Sequence, residues 1–236
     1  MEIPSENSTP IDNDILTIPN PNIEYKCFSN ITSKGFKYIH KLVLSTRKNP
    51  DAINILRKYL NSHPENINVK NTDGWTPLML ACCNSNTNST EETVQLLLEH
   101  PNIYVNTKIN IGWTSLIVAC HYCTEESIKL LLEHPKIDVN ATDNFGATAL
   151  IHVFRYGITR WEKIVKLLLD HPNIDVNAKE NSGWTALMYA RRMSVICMKR
   201  NVLELLLNHS NIIINSNDID DDKYDRMFIN NIKNNN

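Results

Sequence analysis

Four times along the chain a glycine opens the same short phrase: Gly74-Trp75-Thr76-Pro77-Leu78, Gly112-Trp113-Thr114-Ser115-Leu116, Gly146-Ala147-Thr148-Ala149-Leu150 and Gly183-Trp184-Thr185-Ala186-Leu187. The glycines stand 38, 34 and 37 residues apart. A leucine run follows each phrase, at Leu96 to Pro101, Leu130 to Pro135, Leu167 to Pro172 and Leu205 to Ser210. A valine or isoleucine and then Asn106, Asn140, Asn177 or Asn215 completes the unit. Three phrases in fixed order at this period describe one supersecondary unit copied along the chain. Such a unit cannot bury its apolar face alone, so it must stack on its neighbours.

Each copy reads as turn, helix, turn, helix. The threonine can cap an orphan N–H at the start of the first helix, and Pro77 stands where a missing N–H costs nothing. That helix turns Leu78 and Ala81, Leu116 and Ala119, Leu150 and Val153, Leu187 and Ala190 toward the stack. Three consecutive leucines cover most of a turn, so the second helix is expected to lie between neighbours rather than on an open surface. The proline after it ends the helix, and Asp-Val-Asn-Ala is expected to lead, extended, into the next glycine turn. Spacing differences fall between the paired helices, at residues such as Ser85 to Asn88, where insertion costs little.

The ends are less regular. Residues 1–34 carry Pro4, Pro10, Pro19 and Pro21 among polar residues and read as a flexible arm. Residues 35–68 form a looser copy, with Gly35-Phe36 for the opening phrase and His63-Pro64 for the stop, and read as a capping repeat. Further repeats run near 69–105, 106–139, 140–176 and 177–214, giving an array over 35–215. In 215–236, Asp221 replaces the glycine and Tyr224, Met227, Phe228 and Ile232 suggest a short cap before a disordered tail.

Composition narrows the function. Hydrophobic residues make up 42% of the chain, enough for a core, and the formal net charge is −2. No excess of positive charge draws it to phosphate backbones, so no nucleic-acid partner is expected, and Arg191, Arg192, Lys199 and Arg200 read as a solvated face. No secretory signal is read behind the first methionine, and no apolar run approaches the roughly 20 residues of a membrane helix. An intracellular, cytoplasmic, monomeric protein without a membrane partner is expected. Richness in Asn and Ile reads as a compositional bias of AT-rich coding rather than as chemistry.

The linked motifs, Asp-x-x-Gly-x-Thr-Pro-Leu with a Leu-rich helix and Asp-Val-Asn-Ala, resemble the ankyrin repeat over residues 35 to 220. The wording Leu-Leu-Glu-His-Pro-Asn-Ile-Asp-Val-Asn is similar to the Asn-rich ankyrin arrays of large DNA viruses. The resemblance implies an all-α solenoid of stacked helix-turn-helix units with short hairpin loops, binding a protein partner along its concave face and fingertips. Two departures stand out. The family's histidine after Pro-Leu is Met79, Ile117, Ile151 or Met188 here, which predicts apolar packing in place of a polar bridge between repeats. Its Gly-Ala after the second helix is replaced by the longer Pro-Asn-Ile or a close relative, as in the 34-residue step.

The candidate partner-binding residues follow from the register. Trp75, Trp113 and Trp184 occupy a position that in the family varies and often faces the partner, and aromatic side chains on a rigid array make good anchors. Each could instead brace its hairpin. Asp73, Ile111 and Phe145 at the tips share the hypothesis, as do Cys83, His121, Tyr122, Arg155, Tyr156 and Arg192 after the first helices. The lone C-x-x-C of Cys120 and Cys123 falls at a helix C-terminus, away from the helix N-terminus that redox chemistry favours. His63, His100, His134, His171 and His209 recur once per copy, and their place at helix ends argues for capping and a favourable dipole interaction when protonated rather than for metal. The Asp218 to Asp222 cluster lacks the glycine of a calcium loop. No catalytic, cofactor or metal site is expected, and the chain reads as an interaction scaffold, with a substrate adaptor for a ubiquitin ligase as the alternative. Asn140 and Asn177, each after Asp-Val with a leucine eight residues upstream, resemble the substrate motif of an asparaginyl hydroxylase.

Overall fold

The computed structural model describes residues 35–46, 49, 51–83, 88–156, 161–197 and 200–214. The expected arm, the C-terminal cap, the Asp218 cluster and most of the first insertion lie outside the described residues. Within them ten α-helices form in pairs. These are α1 (Tyr38–Ser45) with α2 (Asp51–Ser62), α3 (Pro77–Cys83) with α4 (Asn88–Leu98), and α5 (Ser115–Tyr122) with α6 (Glu125–Glu133). Then come α7 (Ala149–Arg155) with α8 (Trp161–Leu169), and α9 (Ala186–Cys197) with α10 (Arg200–Leu207). No strand forms among the described residues, only isolated pairs such as Lys108 with Thr114.

The first helices α1, α3, α5, α7 and α9 pack in sequence, and the second helices α2 to α10 form a second layer behind them. One apolar core runs through both layers, from Ile39 and Leu56 through Met79, Leu97, Ile117 and Leu131 to Ile151, Leu168 and Leu206. The leucine runs divide within it, with Leu97 and Leu131 fully buried and Leu130 and Leu132 half-buried. The threonine caps form in all four copies: the N–H groups of Met79, Ile117, Ile151 and Met188 donate to Thr76, Thr114, Thr148 and Thr185 at 3.2–3.4 Å.

Four features differ from the sequence reading. Asp-Val-Asn-Ala is a tight turn, not an extended lead: Ala141 N–H donates to the Asp138 carbonyl and Asn140 N–H to its carboxylate, and Ala178 and Asn177 repeat this on Asp175. An aspartate that accepts from the backbone two residues on holds such a turn closed. The polar bridge between repeats survives in the first copy, because His40 aligns with Met79. Its Nε2–H reaches the carbonyls of Val69 and Trp75 at 3.2 Å, while Nδ1 accepts from Lys37 N–H. Burial holds this imidazole below its ordinary pKa.

Four of the five recurrent histidines cap by accepting a backbone N–H, while the buried Nδ1 of His63 has no hydrogen-bond partner. Nδ1 of His100, His134, His171 and His209 each takes the N–H two residues on, at 3.2–3.3 Å, so that nitrogen carries no proton. Nor is asparagine merely compositional. The side chains of Asn68, Asn106, Asn140 and Asn177 each donate to a carbonyl of the next repeat (residues 102, 136, 173 and 211). Each also accepts the N–H two residues farther on, at 104, 138, 175 and 213. An amide is the one uncharged side chain that offers donor and acceptor side by side to a backbone that needs both.

Candidate functional site

The hairpins between repeats set the site. In each, the N–H three residues before the glycine donates to the carbonyl one residue after it, and the glycine N–H donates back: Asn71 with Trp75, Ile109 with Trp113, Asp143 with Ala147, Glu180 with Trp184. The tips then join one another. Asn110 N–H donates to the Asp73 carbonyl, Asn144 to Ile111 and Asn181 to Phe145, while their side chains donate to the carbonyls of Thr72, Asn110 and Asn144. Gly112 shows why glycine is required. Its φ is +87°, and a Cβ there would lie 2.3 Å from the Asn144 nitrogen.

One contact distinguishes the copies. The residue three before the glycine pairs with the residue nine positions later, which the first helix brings back beneath the hairpin. Asp143 Oδ2 accepts from His152 Nε2 at 2.9 Å, and Glu180 Oε1 accepts from the Tyr189 hydroxyl at 2.7 Å. In the earlier copies the same positions hold Asn71 with Leu80 and Ile109 with Val118. Asn71 and Asp143 do one further job alike. The Oδ1 of each accepts two hairpin N–H groups, Asp73 and Trp75 in one case, Phe145 and Ala147 in the other.

Asp143 and His152 are both buried, and their contact orients a longer chain. The carboxylate only accepts, so His152 carries its proton on Nε2 and its Nδ1 accepts from His121 Nε2 at 3.1 Å. Both imidazoles are neutral in this arrangement. Desolvation, then the neighbouring His152, pushes His121 down to about 3, and desolvation lowers His152 despite the Asp143 carboxylate.

Around this chain lie most of the sequence-predicted site residues. The Trp113 ring stacks on His121 at 4.6 Å and meets His152 edge-on at 5.1 Å. Tyr156 stacks on His152 at 5.3 Å, and Tyr122 lies beside His121. The Arg155 guanidinium sits 5.8 Å from the Phe145 ring and 5.6 Å from the Tyr156 ring. It also pairs with Glu180 at 2.9 Å, and Tyr189 packs against Trp184 at 4.9 Å. A belt of rings and charge thus runs across three repeats from Trp113 to Trp184. Phe145, Tyr156 and Trp184 are 58%, 51% and 36% exposed along it. Arg192 is exposed on α9, the helix that carries Tyr189.

The remaining candidates stand apart. Trp75 is 4% exposed, a core residue, while Trp113 is half-buried, so the three tryptophans do not share one environment. Asp73 is half-buried and Ile111 is exposed at its tip. Cys83 lies in the core with Cys82, Cys120 and Cys123. Cys123 Sγ donates to the Cys82 carbonyl, and burial raises the Cys120 thiol well above its ordinary range. Among the described residues, no group of three or more His, Cys, Asp and Glu is arranged to hold a metal ion. Asn140 and Asn177 are committed to the ladder described above. The His152 and Glu180 partnerships were missed from sequence; the signal was the nine-residue offset, compared from copy to copy.

A family model described as ankyrin repeats matches residues 42–143 and 136–218. The chain belongs to the ankyrin repeat family. It is 39% identical over 92 residues to one ankyrin repeat protein of Acanthamoeba polyphaga mimivirus, covering 36% of this chain and 14% of the relative. A second mimivirus ankyrin repeat protein is 39% identical over 79 residues, 31% of this chain and 14% of its own length. The matches therefore span a small part of these curated relatives. Among solved structures, the ankyrin repeat protein EF0377 superposes with a TM-score of 0.60 at 25% identity, covering 76% of this chain and 84% of that one. The ankyrin repeat domain of Bcl-3, an IkappaB family member, gives 0.62 at 22%, covering 76% and 74%, and shows the fold alone. The ankyrin array is a general protein–protein interaction module, and its family members are typically scaffolds without catalysis. No described helix is long and apolar enough to cross a membrane.

Proposed function

We propose that this ankyrin array holds a protein partner through the belt from Trp113 to Trp184, on its concave face and at the hairpin tips. One observation carries this. Phe145, Tyr156 and Trp184 keep a large part of their apolar surface in water although the core beneath them is closed, and rigid, half-supported aromatic rings are the usual energetic centres of interfaces. Arg155, held between Phe145 and Tyr156, and Arg192 add charge at the rim. His121 and Tyr122 support the rings from below, while Ile111 and Asp73 extend the surface along the tips. Trp75, at 4% exposure, contributes to the array's stability instead.

Affinity capture from extracts of amoebae, with the wild-type array as bait, tests the reading. The variant Phe145→Ala/Tyr156→Ala/Trp184→Ala loses a protein that the wild type retains, with its helical circular dichroism unchanged. Retention by this variant overturns it. The adaptor alternative has no observation in its favour, since the segment that would recruit a ligase lies outside the described residues. Hydroxylation of Asn140 and Asn177 remains a separate proposal from the sequence motif. Each amide is engaged by the following repeat, so modification would require those turns to open first. Mass spectrometry after exposure to an asparaginyl hydroxylase tests it, and no added oxygen on either residue ends it.

A further inference from the structure

We infer that Asp143 and His152 are positioning residues for the aromatic belt and make it acid-sensitive, closing the 143–147 hairpin only while His121 and His152 are both uncharged. The inference rests on the proposed binding face but is tested without a partner. The chain runs one way: His121 Nε2–H to His152 Nδ1, His152 Nε2–H to Asp143 Oδ2, with Asp143 Oδ1 taking the N–H groups of Phe145 and Ala147. A second proton on His152 Nδ1 ends its acceptance from His121 Nε2–H, obliges His121 to move that proton to Nδ1, and places a buried cation beside Arg155. A proton added at His121 makes a largely buried imidazolium that faces His152 and stacks on Trp113. Either change leaves a cation among the buried groups that support Phe145, Tyr156 and Trp113, where water would solvate it better.

The groups facing this chain come from every element around it. His121 and Tyr122 belong to α5, and Asp143 to the hairpin above. Arg155 and Tyr156 lie at the end of α7, Glu180 in the next hairpin and Tyr189 in α9. Asp143 and Glu180 offset the charge of Arg155, and Asp143 favours the proton on His152. Neither supplies an acceptor to a second proton on its Nδ1. Opening the cluster to water restores both imidazoles to an ordinary pKa near 6.5, so acid favours the open form. Between pH 7.5 and 5.5 that linkage shifts the balance roughly tenfold if one imidazole charges on opening, and roughly a hundredfold if both do.

Amide hydrogen exchange on the full chain, corrected for intrinsic rates, reads this directly at Phe145 and Ala147. Protection at these two amides falls at least tenfold between pH 7.5 and 5.5. The variant His121→Asn/His152→Gln keeps a donor and an acceptor at each link but does not titrate in this range, and its protection at Phe145 and Ala147 stays level. Level protection in the wild type, or an equal fall in the double variant, overturns the inference. Should the double variant not fold, His152→Gln alone serves, with at least half of the logarithmic fall abolished as the supporting result and an unchanged fall as the overturning one. Loss of the pH response with capture intact refutes only the inference. A pH response without any capture refutes only the binding face.

Discussion

The hairpins at residues 71–75 and 143–147 share a backbone and differ in almost everything attached to it. In the first, a neutral Asn71 accepts from two N–H groups, Leu80 lies nine residues on, and Trp75 is buried after the glycine. In the second, a charged Asp143 makes the same two bonds, His152 answers it from nine residues on, and Ala147 follows the glycine, with Phe145 exposed at the tip. Both hairpins keep the glycine and the side-chain acceptor, although Ile109 closes the same backbone pair without one. What the acceptor is attached to decides whether the hairpin rests on an apolar core or on a polar relay that can reach the surface.

The largest effect is expected where the difference is apolar. Trp75→Ala removes a core side chain and destabilises the array by about 3–5 kcal/mol, while Trp184→Ala costs under about 1 kcal/mol. Urea denaturation of both variants checks this, and equal losses would place the two rings in equivalent environments. Next comes the relay. Asp143→Ala strands His152 Nε2–H and two backbone N–H groups, and costs about 2–4 kcal/mol in the same measurement. Asp143→Asn is milder, because its oxygen still serves the backbone and both imidazoles can exchange tautomers to reverse the chain. An Asn variant as damaged as the Ala variant would show that the charge itself, not the acceptor, is needed.

The effect that is smallest at neutral pH, and grows only in acid, is on stability against pH. His121 has a folded pKa near 3, below its unfolded value. Its contribution is therefore complete above about pH 6.5 and is lost as the pH falls toward 3, at no more than about 1.4 kcal/mol per pH unit. His121→Asn should flatten the stability–pH curve below pH 6.5 by up to that slope. A curve that keeps its slope assigns it to His40 and His152 instead.

The recurrence of Gly, Thr and Leu made the helix pairs and caps legible because those roles are local. A capping hydroxyl or a positive φ is needed wherever the chain turns this way, whatever lies beyond. The roles of Trp75 and Trp184 were not legible, because the burial of a ring depends on what adjacent repeats place around it. The asparagine contacts were hidden for a related reason. Asn106 meets the backbone of residues 136 and 138, about one repeat away, and no side chain there marks the meeting. The Asp143–His152 and Glu180–Tyr189 pairs lay closer to view, since aligned copies carry a polar residue at the later position only where an acid stands at the earlier one, Leu80 following Asn71 and Val118 following Ile109. The belt from Trp113 to Trp184 combined both kinds of information, with candidates visible one by one and their adjacency set by the stack.

The asparagine ladder has a consequence for how such a chain can change. Each amide grips the main chain of the following unit and makes no demand on the identity of the residues it touches. Successive units are therefore joined by couplings of one gauge. A duplicated or transplanted unit that brings its own asparagine would couple at both ends without any matching substitution in its neighbours. The array can lengthen, shorten or trade segments while its outward-facing rings and charges diverge freely.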